Sequence, residues 1–215
     1  MTTHGITRDE YLRDPCGTCA TPFWKNAFFK KTDGMQVVHQ KDMHEINTDG
    51  FHVERYFRLV HSLRSITARG MPDGFYFQTV NTQTQLGTVA HLINNCYEDM
   101  FITTEQVEKW TKYKVFDNNL WIFIYEMPSS YPVALGIADF DSIIKEGSLE
   151  WIQVIPGKRG LGLGQAIVTE LLTRLAPKAQ FATVSGRTSN KTNPEGLYRK
   201  CGFTGEDIWC VLTPK

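Results

Sequence analysis

The sequence predicts an α/β protein of the α+β type, in which a mixed central β-sheet of about six to seven strands is flanked by helices. Three observations predict this class. Short apolar runs of β type alternate with segments whose apolar residues recur at helical spacing. Over residues 72–215 the order of elements is β-α-α-β-β-β-α-β-α-β. Some neighbouring strands are joined by tight turns and others by helices, so antiparallel and parallel pairs should share one sheet.

The first 70 residues are aromatic-rich and irregular, and we expect them to form an extension packed on a core domain of residues 71–215. The boundary falls at Gly70–Gly74, where turn-forming residues cluster. Within the extension, Asp33-Gly34 is a hairpin signal between Phe28–Lys31 and Met35–His39. The segment Phe51–Ile66 is ambiguous between a strand and a helix.

After this boundary the elements follow one another clearly. Thr103 and Gln106 have the spacing of a capping box and open a helix. Gly202 is the residue type expected just after a helix end. The predicted strands are Phe75–Val80, Leu120–Tyr125, Val133–Phe140, Ser148–Ile155, Gln180–Ser185 and Asp207–Thr213. The other predicted helices are Gln85–Met100, Leu163–Leu175, which Pro177 ends, and Asn193–Cys201.

The composition excludes several functional classes. A chain of 215 residues with 41% hydrophobic and 21% charged residues is typical of a globular protein. Its 23 basic and 23 acidic residues cancel, so no basic excess predicts a nucleic-acid surface. No apolar run is long enough to cross a membrane, and the N-terminus has no apolar signal core. We therefore expect a cytoplasmic protein with no nucleic-acid or membrane partner.

The cysteine pattern predicts neither disulfides nor a metal. Five cysteines at irregular spacing are not a disulfide framework. Cys16 and Cys19 form one C-x-x-C pair, but a zinc site needs four ligands. The prolines on both sides of this pair favour an ordered loop with two reduced thiols.

The stretch from Trp151 to Gln165 is an apolar strand followed by a glycine-rich turn and a helix. Glycines let backbone N–H groups approach an anion closely, and a helix N-terminus adds a favourable dipole. Lys158 and Arg159 add positive charge. The stretch therefore predicts a cradle for a phosphate or pyrophosphate group. Its spacing fits neither a P-loop, which needs Lys and Ser/Thr after the last glycine, nor the G-x-G-x-x-G of dinucleotide-binding folds.

The turn fits a third pattern, R/Q-x-x-G-x-G/A, through Arg159, Gly162 and Gly164. Downstream, the residues from Asn193 to Phe203 read NPEGLYRKCGF, which is similar to the form N…LYxKxGF. With both motifs in this order, residues 72–215 resemble the GCN5-related N-acetyltransferase superfamily. The stretch 14–25 looks like the leader of a group of uncharacterised bacterial acetyltransferases.

The resemblance implies that acetyl-CoA is the cosubstrate and that Tyr198 protonates the leaving thiolate. For the general base it points to Glu150 or Ser148, which period-two alternation places on one face of a strand. Glu150 is the candidate, and Asp139 and Asp141 are alternatives. The residues expected to bind acetyl-CoA are Val154, Arg159, Gly160, Leu161, Gly162, Leu163, Gly164 and Gln165, with Asn190 or Asn193 as partners of the pantetheine arm.

The expected reaction is direct transfer of an acetyl group from acetyl-CoA to a primary amine in a ternary complex, with no metal. The expected acceptor is a small molecule. A protein lysine or N-terminus is an alternative acceptor, and a non-enzymatic acyl-CoA-binding module is an alternative function. A homodimer is also considered, through pairing of the last strand, Asp207–Thr213. The aromatic residues Phe23, Trp24, Phe28 and Phe29 should belong to the core, or else wall the acceptor pocket.

Overall fold

The computed structural model describes residues 6–26, 34–67, 70–97 and 100–215. Its strands form one sheet in the order β1-β8-β2-β7-β6-β5-β4-β3. β6 and β7 pair in parallel, and the other neighbours pair antiparallel, so the predicted mixed sheet is confirmed. The strands are β1 Gln36–His39, β2 Phe51–His61, β3 Phe75–Thr79, β4 Trp121–Glu126, β5 Pro132–Asp141, β6 Glu146–Val154, β7 Phe181–Arg187 and β8 Thr204–Pro214.

Seven α-helices lie on the two faces of this sheet within the described residues. They are α1 Arg8–Arg13, α2 Pro15–Thr18, α3 Phe23–Asn26, α4 Leu86–Asn94, α5 Thr104–Trp110, α6 Leu163–Leu175 and α7 Pro194–Lys200. None of the helices in this part of the chain combines the length and the apolar character that a membrane crossing requires.

The local signals in the core place most elements correctly. α6 has the predicted bounds. The capping box before α5 is present, because Thr103 Oγ1 accepts from the Gln106 N–H at 3.2 Å and the Gln106 side chain accepts from the Thr103 N–H at 2.8 Å. α4 is shorter than predicted: it ends at Asn94, whose side-chain amide binds both the N–H and the carbonyl of Ile102. This side chain therefore ties the next loop to the helix end.

The first 70 residues contribute two strands to the sheet, which accounts for eight strands where about six to seven were predicted. The ambiguous segment is the strand β2, which pairs with β7 on one side and β8 on the other. Met35–His39 contains β1, whereas Phe28–Lys31 and Asp33 lie outside the described residues. The expected pairing of Asp207–Thr213 with the same strand of a second copy is wrong, because β8 is paired with β1 on one edge and β2 on the other.

The two faces of the sheet carry different helices. On one face, α6 and α7 pack on a core that includes Phe57, Leu149 and Val184. On the other face, α4 and α5 pack on Trp121, Phe123 and other residues of the central strands. A smaller apolar cluster, with Tyr11 and Cys19 at its centre, lies beneath the N-terminal helices. The gap between these N-terminal helices and α5 is the region in which the candidate site lies.

A buried ion pair holds the N-terminal helices on the sheet. Arg58 of β2 and Glu146 of β6 are each 1% exposed, with Nη2 and Oε1 3.5 Å apart. The Tyr11 hydroxyl of α1 donates to Glu146 Oε1 at 2.7 Å and accepts from Arg58 Nη2 at 2.8 Å. Thr183 Oγ1 donates to Glu146 Oε1 at 2.6 Å, and the Phe23 N–H donates to Oε2 at 3.1 Å. A buried charge needs such partners, so this network fixes α1 and α3 to three strands.

The Cys16–Cys19 segment is helical where an ordered loop was predicted. Cys16 lies in α2, which Asp14 caps by accepting from the Gly17 N–H, and Cys19 ends this helix. Both thiols are buried and free, and burial raises the pKa of Cys16 to about 12. Within the described ranges, no group of three or more His, Cys, Asp or Glu side chains is placed to hold a metal ion.

Candidate functional site

β6 and β7 begin as a parallel pair and then separate. Their pairing runs from Glu146 with Phe181 to Leu149 with Val184, and among the described residues it goes no further. Beyond this point β6 continues beside β5, and β7 continues beside β2. The two strands therefore open a wedge in the middle of the sheet, where backbone groups of one strand no longer meet those of the other.

A β-bulge in β6 lies where the wedge begins. Trp151 pairs with Ile137 and Leu149 pairs with Ala138, so Glu150 is an extra residue that opposes no residue of β5. A bulge of this kind bends the strand and re-aims a side chain. Glu150 stays on the face of Ser148, which carries α3 and α5, and its side chain is 17% exposed. The bulge brings the adjacent Trp151 to this same face, so both residues line one cavity.

The glycine-rich turn follows β6 directly and leads into α6. Gly160 and Gly162 have φ values of +83° and +85°, which a residue with a Cβ atom adopts only with strain. Gly162 is the N-cap of α6, and the first helical hydrogen bond runs from the Ala166 N–H to the Gly162 carbonyl. The N–H groups before Ala166 have no acceptor within the helix and lie at its positive end.

Gly164 in the first turn of α6 is required for packing. A Cβ atom there would lie 3.1 Å from Leu197 of α7, closer than ordinary van der Waals contact. The absence of a side chain at this position lets α7 approach the glycine-rich turn. The next residue of α7 is Tyr198, so Gly164 helps to set the distance between the glycine-rich turn and this tyrosine.

Tyr198 lies against the wedge from the α6 side of the sheet. It is 6% exposed and packs on the rings of Phe57 and Phe203. Burial raises the pKa of Tyr198, and the nearby Tyr97, Cys201 and Glu150 groups raise this pKa further. Its hydroxyl therefore stays protonated at neutral pH, as a proton donor requires.

Glu150 lies at the centre of a small polar cluster. Its Oε2 is paired with the Lys25 ammonium of α3, and its Oε1 accepts from Ser148 Oγ at 3.1 Å. This contact confirms that Ser148 and Glu150 share one face of the strand. Asp139 on the neighbouring strand β5 is 8% exposed. Burial raises the pKa of Asp139 well above its usual range, Glu150 raises it further, and Lys25 opposes the shift.

The comparisons with known proteins agree with this geometry. Residues 142–210 match the family model described as FR47-like protein. A GCN5-related N-acetyltransferase from Sphaerobacter thermophilus superposes with a TM-score of 0.70 at 16% identity, covering 84% of this chain and 59% of that one. A GNAT-family acetyltransferase from Colwellia psychrerythraea gives 0.61 at 14% identity, over 84% and 64%. The ribosomal-protein-S18-alanine N-acetyltransferase of Escherichia coli gives 0.51 at 17%, over 65% and 93%.

The chain has the GCN5-related N-acetyltransferase (GNAT) fold. The predicted resemblance to this superfamily is therefore confirmed. The chain spans less than two-thirds of the Sphaerobacter and Colwellia proteins. No curated protein sequence matches it significantly.

Within this GNAT fold, the predicted acetyl-CoA residues fall into two groups. Those from Arg159 to Gln165 form the turn and the start of α6, next to the wedge. Val154 ends β6 at the same place, and its carbonyl accepts from Arg159 Nε at 3.1 Å and from Cys96 Sγ at 3.6 Å. The Arg159 side chain is thus folded back onto β6. It would have to leave the Val154 carbonyl before a ligand could pair with that carbonyl.

Asn190 and Asn193 use their side-chain oxygens in local structure. Asn190 Oδ1 accepts from the N–H and the hydroxyl of Thr192. Asn193 caps α7 by accepting from the Gly196 N–H at 3.0 Å. Among the alternative bases, Asp141 accepts from the Ile143 N–H at 2.8 Å and closes the turn between β5 and β6. These contacts give each side chain a structural role.

Sequence reasoning missed two residues of the site. Lys25 comes from the N-terminal segment. The sequence analysis included it only as the last residue of the stretch 14–25, which looks like a leader, and gave it no role in the site. Tyr97 lay within the predicted helix Gln85–Met100 and was given no role in the site. In the structure its hydroxyl accepts from Gln153 Nε2 at 3.0 Å, and it raises the pKa of Tyr198. No local signal marks either residue, because both reach the wedge from elements far away in the sequence.

Proposed function

We propose that the chain is an N-acetyltransferase that transfers an acetyl group from acetyl-CoA to a primary amine of a small molecule. The observation that carries this proposal is the wedge between β6 and β7. Glu150 lies at its start, and on the other face of the sheet Tyr198 belongs to the same core as Leu149 and Val184, the last pair before the strands separate. A carboxylate and a protonated phenol around one opening are the two groups that amine deprotonation and thiolate protonation need.

The residues of the turn fit a pyrophosphate group. Gly160 and Gly162 leave open space where a Cβ would stand, with nothing within 4 Å. The first N–H groups of α6 point out of its positive end, and a helix N-terminus of this kind binds phosphate oxygens. Acetyl-CoA bound there would supply an activated thioester. The backbone of β6 near Val154 would hold its pantetheine arm, and a backbone N–H there would stabilise the oxyanion.

The side chains divide the proton transfers between them. Glu150 Oε1 is hydrogen-bonded to Ser148 and Oε2 is paired with Lys25, so Oε2 would accept the proton of an acceptor ammonium that takes the place of Lys25. Tyr198 would hold a proton near the sulfur and give it to the leaving thiolate. We further propose that residues 1–70 act as an extension that completes the acceptor side of the core domain 71–215, because Lys25 contacts Glu150.

A thermal-shift experiment tests the cosubstrate. Acetyl-CoA should raise the melting temperature because a ligand that binds only the folded state stabilises it, whereas ATP and NAD should not. Gly162→Val should abolish the shift, since Val is strained at a φ of +85°. Gly157→Ala is the matched control: its Cβ meets nothing within 4 Å and its φ needs no glycine, so the shift should persist. Absence of any shift at saturating acetyl-CoA would refute the proposal.

Thiol release in the presence of acetyl-CoA and a panel of small amines tests the reaction itself. We expect free coenzyme A to appear only when a primary amine is present. Binding of acetyl-CoA with no transfer to any amine, peptide N-terminus or lysine would instead identify a binding module. Transfer to peptides alone would identify a protein acetyltransferase.

A further inference from the structure

Two cavities meet at the Lys25–Glu150 ion pair, and one of them has an aromatic wall. The first, of about 220 Å³, reaches from this pair toward Arg58 and Ser185. The second, of about 340 Å³, lies between α3 and α5 on the side of Asp139. Its volume is near the lower end of the range for small-molecule pockets. Its aromatic lining consists of Trp24, Trp110, Tyr113, Trp121 and Trp151.

We propose that the second cavity binds the acceptor, and that the acceptor is a primary alkylammonium carried on an apolar body the size of about one aromatic ring. This inference rests on the proposed acetyl transfer and narrows its substrate class. In a polar amine such as an amino sugar, the hydroxyl groups that face the indole rings instead of Lys25, Asp139 or Glu150 would lack hydrogen-bond partners, which is unfavourable.

The rings are arranged to receive a flat apolar group. Trp110 stacks on Trp151 with centroids 5.4 Å apart and planes 19° apart. Trp24 packs on Tyr113 with centroids 5.4 Å apart. Trp110 and Tyr113 come from α5 and the turn after it, while Trp24 comes from α3, so the rings face the cavity from both sides. An aromatic ligand gains binding free energy from such ring contacts beyond the contribution of the area that it buries.

The acidic groups of the cavity favour a cation at the place of Lys25. Two carboxyl groups, Asp139 and Glu150, line the cavity together with one ammonium, that of Lys25. Burial favours the neutral form of Asp139, so Glu150 carries the negative charge that this ammonium balances. Without Lys25 the cavity would hold two acidic groups among aromatic rings. An ammonium is stabilised in such a place both by carboxylates and by the faces of aromatic rings.

Lys25 itself illustrates the chemistry of the proposed ligand. Its ammonium is paired with Glu150 and lies 5.3 Å from the centroid of the Trp24 ring. It is thus an alkylammonium held between a carboxylate and an aromatic face. Because its side chain is 31% exposed, an incoming ammonium can displace it without unfolding α3. Lys25 therefore competes with the acceptor and sets the affinity of the site for amines.

Calorimetric titration of the full chain, with and without coenzyme A, tests the proposal with three probes. 2-Phenylethylamine has both the ammonium and the apolar body, 2-phenylethanol lacks the ammonium, and glucosamine lacks the apolar body. We expect 2-phenylethylamine to bind at least tenfold more tightly than either of the others, in at least one of the two conditions. The proposal would be overturned if glucosamine bound as tightly as 2-phenylethylamine or more tightly.

Two matched variants test the role of Lys25. Lys25→Met should tighten the binding of 2-phenylethylamine about threefold, because it removes the competing ammonium. Lys178→Met is the control: Lys178 is also paired with a carboxylate, Asp117, is 26% exposed and lies 5.4 Å from the Phe140 ring. It does not line the cavity and should leave this affinity unchanged. Unchanged or weaker binding in Lys25→Met alone would overturn the proposal.

The outcomes separate this inference from the proposed function. If acetyl-CoA fails to stabilise the chain while 2-phenylethylamine binds as expected, the amine site stands and the acetyl transfer is refuted. If acetyl transfer proceeds with polar amines while 2-phenylethylamine does not bind, the acetyl transfer stands and this inference is overturned.

Discussion

Substitution of Tyr11 by Phe removes one oxygen atom from the buried network under the N-terminal helices. The lost hydroxyl donates to Glu146 and accepts from Arg58, and both partners are 1% exposed. A hydrogen bond to a charged group contributes about 1.5–3 kcal/mol. Phe fills the same space, and Thr183 still donates to Glu146. The loss is therefore smaller than the summed contributions of the two hydrogen bonds. We expect the free energy of unfolding to fall by about 2–4 kcal/mol.

The chain offers a matched control for this substitution. The Tyr56 hydroxyl also donates to a glutamate, Glu54, at 3.0 Å and accepts from an arginine, Arg187, at 3.1 Å. Glu54 and Arg187 are 46% and 38% exposed, so water replaces the lost hydroxyl. We expect Tyr56→Phe to cost less than about 1 kcal/mol. Burial is then the main difference between the two substitutions.

Urea unfolding followed by tryptophan fluorescence and by far-UV circular dichroism measures both variants. With a slope of about 3 kcal/mol per molar urea, Tyr11→Phe should lower the midpoint by about 1 M, and Tyr56→Phe by about 0.3 M or less. Coincident transitions from the two probes test two-state unfolding. Equal midpoint shifts in the two variants would refute the reasoning, because they would mean that burial does not determine the strength of these hydrogen bonds.

Three further substitutions test the site and the fold. Tyr198→Phe should lower kcat about 100-fold while leaving the acetyl-CoA thermal shift intact, because only the proton donor is lost; a normal kcat contradicts its role. Glu150→Gln should lower kcat/KM at pH 7 about 100-fold. This loss of kcat/KM should shrink as the pH rises, because the amine then loses its proton unaided, and Ser148→Ala should cause a much smaller loss. Burial lowers the pKa of His61, whose Nδ1 accepts from the Leu63 N–H. As the pH falls, His61 is therefore protonated in the unfolded chain before it is protonated in the folded chain. The free energy of unfolding then decreases as the pH falls below about 6.5. In melting curves from pH 7.5 to 5.5, His61→Asn keeps an acceptor and should lose less stability than the unaltered chain; an identical loss would exclude His61 as the cause.

The parts of the fold that sequence reasoning predicted are those with local signals. α6 has a glycine N-cap and a proline two residues past its end, and its bounds are correct. The capping box before α5 needs only Thr103 and Gln106. The glycine-rich turn is identified by backbone conformation, which glycine sets within a few residues. In each case the signal and the structure lie within one element.

The parts that it did not predict depend on contacts between distant residues. β2 is a strand because β7 and β8 pair with both of its edges, and its own sequence fits a helix as well. The bulge at Glu150 appears only when the register with β5 is known. Lys25 and Glu150 are 125 residues apart in the sequence. Such contacts depend on tertiary structure, which overrides local propensity.

The N-terminal segment links the stability of the fold to the acceptor side of the site. One strand, β6, supplies both Glu146, which binds the Phe23 N–H at the start of α3, and Glu150, which pairs with Lys25 two residues later. The Glu146 side chain is 1% exposed, whereas those of Glu150 and Lys25 are 17% and 31% exposed. Opening the ion pair at Lys25 therefore costs much less free energy than undocking α3. An acceptor that displaces Lys25 therefore needs to overcome only about 1 kcal/mol, with the aromatic wall left in place. This separation predicts that Lys25→Met changes amine binding with little loss of stability, whereas Tyr11→Phe does the reverse.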